Sequence, residues 1–96
     1  MEKIEVVLDE KRKGKIELLS DGKHAGEMVI SENDDAITVY HTEVSEAFAG
    51  RNFAKLLLDA LVGRARDSNR KINPLCPYVF AQFKRHPDEF ADVWKK

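Results

Sequence analysis

Apolar and polar residues alternate through the first half of the chain and recur at helical spacing in the second. Ile4 to Leu8 is a short apolar-rich strand closed by the charged turn Asp9 to Gly14. Lys15 to Ser20 sets Ile16 and Leu18 on one face and Glu17 and Leu19 on the other, the period of a half-buried strand. Asp21-Gly22 is a turn dipeptide that predicts a hairpin into a third strand, Ala25 to Ser31. Asn33-Asp34-Asp35 supplies the next turn, and Ala36 to Val44 is a β-branched and aromatic fourth strand. Four strands joined by short polar turns predict an antiparallel meander.

The period changes after the break Ser45 to Gly50. From Arg51, the residues Phe53, Leu56, Leu57, Ala60, Leu61 and Ala65 recur at i, i+3 and i+4, which predicts a helix running to Asp67 or Ser68. Lys71 to Cys76 reads as a fifth strand, with Pro74 placing it at an edge or ending it early. A strand, a long helix and a strand form a βαβ unit, so strands four and five are expected as parallel neighbours with a right-handed crossover. Pro77 suits the first position of a further helix through Arg85, which His86-Pro87 ends. Asp88 to Trp94 adds a turn or two, with Phe90, Val93 and Trp94 expected to pack on the sheet. The predicted class is α+β: an N-terminal antiparallel meander, one βαβ unit with a long central helix, and short C-terminal helices, in a single domain over residues 1–96.

Composition narrows the function classes. The 96 residues are 43% hydrophobic and 34% charged, the balance of a globular domain rather than a disordered chain. A net charge of −1 gives no electrostatic reason to expect nucleic acid as a partner. No apolar run approaches the roughly 20 residues of a membrane span, and Met1 to Glu5 lacks the apolar core of a signal peptide. The single cysteine, Cys76, has no internal disulfide partner, which points to a reducing cytoplasm.

Candidate chemistry gathers at the βαβ unit. A glycine-containing loop between a strand and a helix is where a fold can hold an anion, because the first N–H groups of the helix are unpaired and its dipole favours negative charge. Ligands of open α/β sheets bind outside the carboxyl ends of strands. His41, Cys76 and the loop Ser45 to Asn52 are therefore expected around one cleft. Pro77 holds Cys76 extended at the start of a helix, where a thiol's pKa falls and the thiolate becomes available. Each residue has a plainer reading as well: a free cysteine is commonly a small buried hydrophobe, and a histidine on a half-buried strand is commonly structural. His24 and His86 suggest no role, and one Cys with three scattered His gives no zinc spacing. Arg64, Arg66, Arg70 and Lys71 read as a solvated helix face, or else as an attractor for a phosphorylated ligand.

Five segments together resemble the minimal members of the GCN5-related N-acetyltransferase superfamily, often labelled YjdJ-type. They are His41-Thr42-Glu43-Val44, the Gly50 loop, the Ala65-Arg66 helix end, Pro74-Leu75-Cys76-Pro77-Tyr78-Val79 and Arg85-His86-Pro87. The resemblance spans residues 15 to 94. It implies a fold that binds acetyl-coenzyme A, with the pyrophosphate on backbone amides at the start of the central helix and Val44, Gly50, Arg51, Asn52, Phe53 and Ala54 around the cofactor. The superfamily pattern of Arg or Gln, two residues, Gly, one residue, Gly or Ala falls on Ala49 to Ala54. Ala49 and Asn52 depart from it, and Ala54 matches. The implied reaction is acetyl transfer to an amine of an unidentified acceptor, such as a protein met at an open surface. His41 would be the general base, and Cys76 either a transiently acetylated nucleophile or a group that orients the thioester. The alternative is a coenzyme A-binding or protein-interaction module that has lost catalysis. A thiol redox protein would need a resolving cysteine that the chain does not have.

Overall fold

The computed structural model describes residues 1–96. Five strands, β1 (Glu2–Leu8), β2 (Lys13–Ser20), β3 (Lys23–Glu32), β4 (Ala36–Val44) and β5 (Lys71–Pro74), form one sheet in the order β1-β2-β3-β4-β5. The first four are antiparallel neighbours, and β5 lies parallel to β4. The meander and the βαβ unit therefore stand as the hydrophobic pattern predicts. A short 3-10 turn, Glu46–Phe48, leads into α1 (Phe53–Asp67), followed after β5 by α2 (Pro77–Arg85) and α3 (Pro87–Phe90).

All three helices lie on one side of the sheet. Ile16, Leu18, Met28, Ile30, Ile37 and Val39 from the strands meet Leu57, Leu58 and Leu61 of α1 and Val79 and Phe83 of α2 in one buried cluster. Arg66 of α1 reaches across to the Asp92 carboxylate and the Glu89 carbonyl, tying the α3 end to the same layer. Phe83 stacks against Phe90 and Trp94, with ring centroids 4.8 and 5.8 Å away. This folds the C-terminus back so that Ile72 donates to the Val93 carbonyl and accepts from the Lys95 N–H, covering the outer edge of β5. On the other side no helix is present, and of the strand residues that point there only Ala36, at the start of β4, is buried.

Two element ends near the site, and the state of the basic cluster, differ from the sequence expectation. The central helix starts at Phe53 rather than Arg51, because Asn52 takes the left-handed conformation (φ 64°) and stands as its N-cap. The fifth strand ends at Pro74 rather than Cys76, since proline has no N–H to continue the ladder. The basic cluster is neither a free helix face nor an open anion site. Arg64 and Arg70 both bond Glu32, whose side chain is 3% exposed, while Arg66 and Lys71 are engaged at Asp92.

Two bulges interrupt the ladders. One lies between Val29 and Ile30, where Val29 opposes His41 but Ile30 opposes Val39, so that Tyr40 is the extra residue. Unbroken alternation would send Val39, His41 and Glu43 to the helix side. The inserted residue shifts the parity, and Thr42 and Val44 face the helices instead.

Candidate active site

The pairing of β4 with β5 stops at Val39 opposite Pro74, and the one backbone bond beyond it runs from the Cys76 N–H to the Val39 carbonyl, 2.9 Å. From Tyr40 to Val44 no backbone bond crosses to the following segment. Groups of β4 that would pair with a neighbouring strand are left facing a split. On the helix side Thr42 and Cys76 meet across it, Oγ1 to Sγ 3.2 Å, a contact that exists because the Tyr40 bulge turned Thr42 inward.

Beside the split, at the start of α1, lies a hollow of about 410 Å³ lined by Val44, Phe48, Ala49, Gly50, Asn52, Phe53 and Ala54. Six consecutive N–H groups, from Gly50 to Lys55, have no acceptor within the protein. The first turn of α1 holds no acidic residue, so its positive end is not neutralised. Gly50 (φ 83°) and Asn52 (φ 64°) both sit in the left-handed region, the kind of backbone turn in which successive amides form an anion-binding concavity. Phe48 packs on Phe53 with centroids 5.7 Å apart, and the Arg51 guanidinium lies 5.4 Å above the Phe48 ring, leaving a cation at the rim. Gly26 on β3 allows this corner to close: a Cβ there would stand 2.8 Å from the Glu43 carbonyl oxygen and 3.4 Å from Leu57.

Because open space surrounds Gly50 but its φ is +83°, any side chain there strains the backbone without meeting a wall. Gly50→Val is expected to cost about 1 kcal/mol or more in stability, measured by chemical denaturation. Asn52→Gly should fold as well as the parent, since glycine adopts the same conformation freely.

The residues singled out from sequence arrive at the split in two groups. Val44, Gly50, Asn52, Phe53 and Ala54 line the hollow, with Arg51 at its edge. Phe48 and Ala49 also line it. A signal for Phe48 was present in the sequence, an aromatic residue placed in a loop two residues before a positive-φ glycine. Cys76 is 2% exposed and faces the helix side, where it belongs to the core cluster. His41 is exposed on the opposite face, its Nε2 3.8 Å from Glu43. The two flank the same split from opposite sides of the sheet and do not touch. Tyr78 is half-buried against the core. Burial raises its phenol above the ordinary range, against the opposing pull of Lys55, so it is protonated at neutral pH.

A larger hollow, about 510 Å³, opens at the other end of α1, but its Arg64 and Arg70 are already held by Glu32. No three His, Cys, Asp or Glu side chains stand close enough to hold a metal ion. No helix is long and apolar enough to cross a membrane.

No curated protein matches the chain in sequence. Among solved structures, the chain is similar to a GCN5-like putative N-acetyltransferase from Staphylococcus aureus. The two share 26% identity with a TM-score of 0.69, over 97% of this chain and 87% of that one. A ribosomal-protein-alanine N-acetyltransferase from Brucella melitensis biovar Abortus 2308 shares the fold at 19% identity and TM-score 0.64, covering 84% of this chain and 64% of its own. The ribosomal-protein-S18-alanine N-acetyltransferase of Escherichia coli does so at 17% and 0.61, covering 67% of this chain and 42% of its own. The chain thus spans less than two thirds of the length of these two enzymes. The family model described as GCN5-related N-acetyl-transferase matches residues 15–93. With a fold, a strand split and an amide-lined helix start that agree with that match, this chain belongs to the GCN5-related N-acetyltransferase family.

Proposed function

We propose that the protein transfers the acetyl group of acetyl-coenzyme A to an amine. The observation that carries this reading is the run of six unpaired N–H groups from Gly50 to Lys55, in the segment that lines the hollow beside the split between β4 and β5. The pyrophosphate is an anion suited to those amides, and Arg51 adds charge at the rim. An extended pantetheine arm has the free backbone edge of Tyr40 to Val44 to pair with, which leads the thioester toward Thr42 and Cys76. Ala49 and Asn52, where the superfamily pattern has other residues, leave this backbone cradle intact because the amides rather than side chains form it.

The acceptor approaches from the uncovered face, where His41 stands. There the imidazole takes the proton of the attacking amine as the new N–C bond forms and the C–S bond breaks, and the sulfur leaves as a thiolate that is then protonated. Direct transfer is favoured over acetylation of Cys76. The thiol is 2% exposed and its polar neighbour is the Thr42 hydroxyl rather than His41, so no base is placed to activate it. Cys76 and Thr42 are assigned to orienting the thioester. Consistent with that role, Cys76 is expected to alkylate far more slowly in the folded protein than a model thiol, and intact-mass analysis after incubation with acetyl-coenzyme A should show no added acetyl group. A stable acetyl label lost in Cys76→Ser would instead establish the covalent route.

Binding tests the whole reading. Acetyl-coenzyme A at 100 times its Kd should stabilise the native state by about 2.7 kcal/mol, read as a rise in Tm. Gly50→Val should diminish the rise, and Asn52→Gly should retain it. No shift at millimolar ligand would overturn the proposal. The separation of His41 from Cys76 favours a second reading, a coenzyme A-binding module without turnover, which predicts the same thermal shift with no acetylated product. A reducing cytoplasm suits either role, since the lone thiol has no partner.

A further inference from the structure

Four glutamates stand in one line across the uncovered face of the sheet. Glu5 opposes Glu17, Glu17 opposes Glu27, and Glu27 opposes Glu43, so the row crosses β1 to β4 without a gap. Like charges directly opposite one another across a strand pair are destabilising. Three successive such oppositions are therefore not something the fold itself asks for. The cations nearby offset them only in part. Lys3 lies 3.4 Å from Glu5, Lys15 lies 3.9 and 3.7 Å from Glu17 and Glu27, His24 contacts Glu17 and Glu27, and His41 lies beside Glu43. Four carboxylates thus face two lysines and two histidines. Next to the row, a trough of about 470 Å³ runs over the same face, with Val7, Leu8 and Val29 as its apolar walls and Asp9, Lys13, Lys15 and Glu27 as its charged ones. At the far end of the row, Glu43 adjoins His41 and the split, and Tyr40 and Leu75 are 46% and 58% exposed.

We propose that this face is the docking surface of the acceptor, and that the acceptor is an extended, lysine-rich polypeptide segment laid across the strands with one lysine delivered at His41. This rests on the acetyl-transfer reading above. Charge complementarity and dimensions select the occupant. Strands are about 4.8 Å apart, so the row is about 14 Å long. That is the span of roughly five residues of extended chain, whose alternate side chains point to one side. The Val7, Leu8 and Val29 walls of the trough beside the carboxylates accommodate the aliphatic stems of lysines and intervening apolar side chains, which a simple polyamine does not have, and Asp9 and Glu27 offset the charge of Lys13 and Lys15 there. With no helix over this face, a flexible segment of a macromolecule can reach the split without an enclosing pocket.

The test uses isotope-labelled protein without acetyl-coenzyme A, so that its outcome is separate from that of the cofactor experiment. A short peptide with lysine at alternate positions is titrated in, and amide shifts are followed. The shifts are expected to cluster on Val7, Lys15, Glu17, Glu27, Val29 and Glu43, and the affinity should fall steadily as salt is raised. Neutralising the row in Glu17→Gln/Glu27→Gln should weaken binding about fivefold. It should not lower Tm, because it removes like-charge oppositions. Glu43→Gln, at an exposed strand end, gives an independent measure if the double variant folds poorly. The proposal is overturned if shifts fall on the helix side, if no binding occurs at millimolar peptide, or if spermine binds as well as the peptide. Unchanged affinity in the neutralised variants, or shifts on this face that depend on protein concentration alone and so indicate a second copy, would overturn it too.

Discussion

His41→Ala is expected to lower the rate of acetyl transfer about 100-fold while leaving the thermal shift produced by acetyl-coenzyme A unchanged. General-base assistance is typically worth 100- to 10,000-fold. The lower end applies because the site on this face is open to water, which supplies a weak substitute base. The imidazole is exposed and its one charged neighbour, Glu43, lies 3.8 Å away at a surface-exposed position. Its removal therefore costs little stability. The hollow and the free amides lie on the far side of β4, so donor binding should not change. The fall should appear in turnover more than in KM for acetyl-coenzyme A, measured as coenzyme A release in the presence of a lysine-rich peptide. A rate within threefold of the parent would place the base elsewhere and leave His41 a surface residue.

The largest effect on stability is expected at Glu32. This carboxylate is buried beneath the C-terminal half of α1 and receives two bonds from Arg64 and one from Arg70, whose side chain is 8% exposed. Arg70 in turn bonds the Asn33 carbonyl, so the network joins the β3–β4 turn to the helix and to the start of β5. Glu32→Ala leaves a buried guanidinium without its counter-ion, a change that typically costs 3–5 kcal/mol. Arg64 keeps access to water and recovers part of that, so a loss of about 3 kcal/mol is expected, or about 15 °C in Tm for a domain of this size. Burial by itself would raise the Glu32 carboxyl, but the bonds and charges of Arg64 and Arg70 outweigh it and hold it below the ordinary carboxylate range. The stabilisation is therefore complete above the unfolded value of about 4.3 and is lost as pH falls toward the lower folded value. Denaturation of the parent between pH 6 and about pH 3 should show this loss, and Glu32→Gln should show a flatter profile. Equal profiles would mean that the network does not set acid stability.

Much of the fold was legible because local rules determine it. Asp21-Gly22 fixed one hairpin and Asn33 to Asp35 the next. The alternation in Lys15 to Ser20 set Ile16 and Leu18 inward, and the spacing from Phe53 to Ala65 gave a helix long enough to require a parallel β5. The unpaired amides around Gly50 were legible for the same reason, since the start of a helix leaves its first N–H groups without an acceptor whatever surrounds it. Pro74 ended its strand as its missing N–H demands.

Other features were decided only by tertiary structure. Strict alternation puts His41 on the inner face with Ile37 and Val39, and the bulge at Tyr40 reversed this. The one hint in the sequence is the shift of apolar positions from odd numbers at Ile37 and Val39 to even at Val44. The consequence is large: Thr42 rather than His41 meets Cys76, and His41 and Cys76 approach the split from opposite sides. The basic residues at the end of α1 and just after it could not be separated by sequence either, because what distinguishes Arg64 and Arg70 from a solvated face is Glu32, more than 30 positions away. The glutamate row is of the same kind. Each of Glu5, Glu17, Glu27 and Glu43 is an ordinary outward strand residue in its own segment, and only the register of three ladders brings them into line. Spacing along the chain fixes which way a side chain points within its element. Which side chains meet depends on register, and register is settled by the packing of the whole sheet.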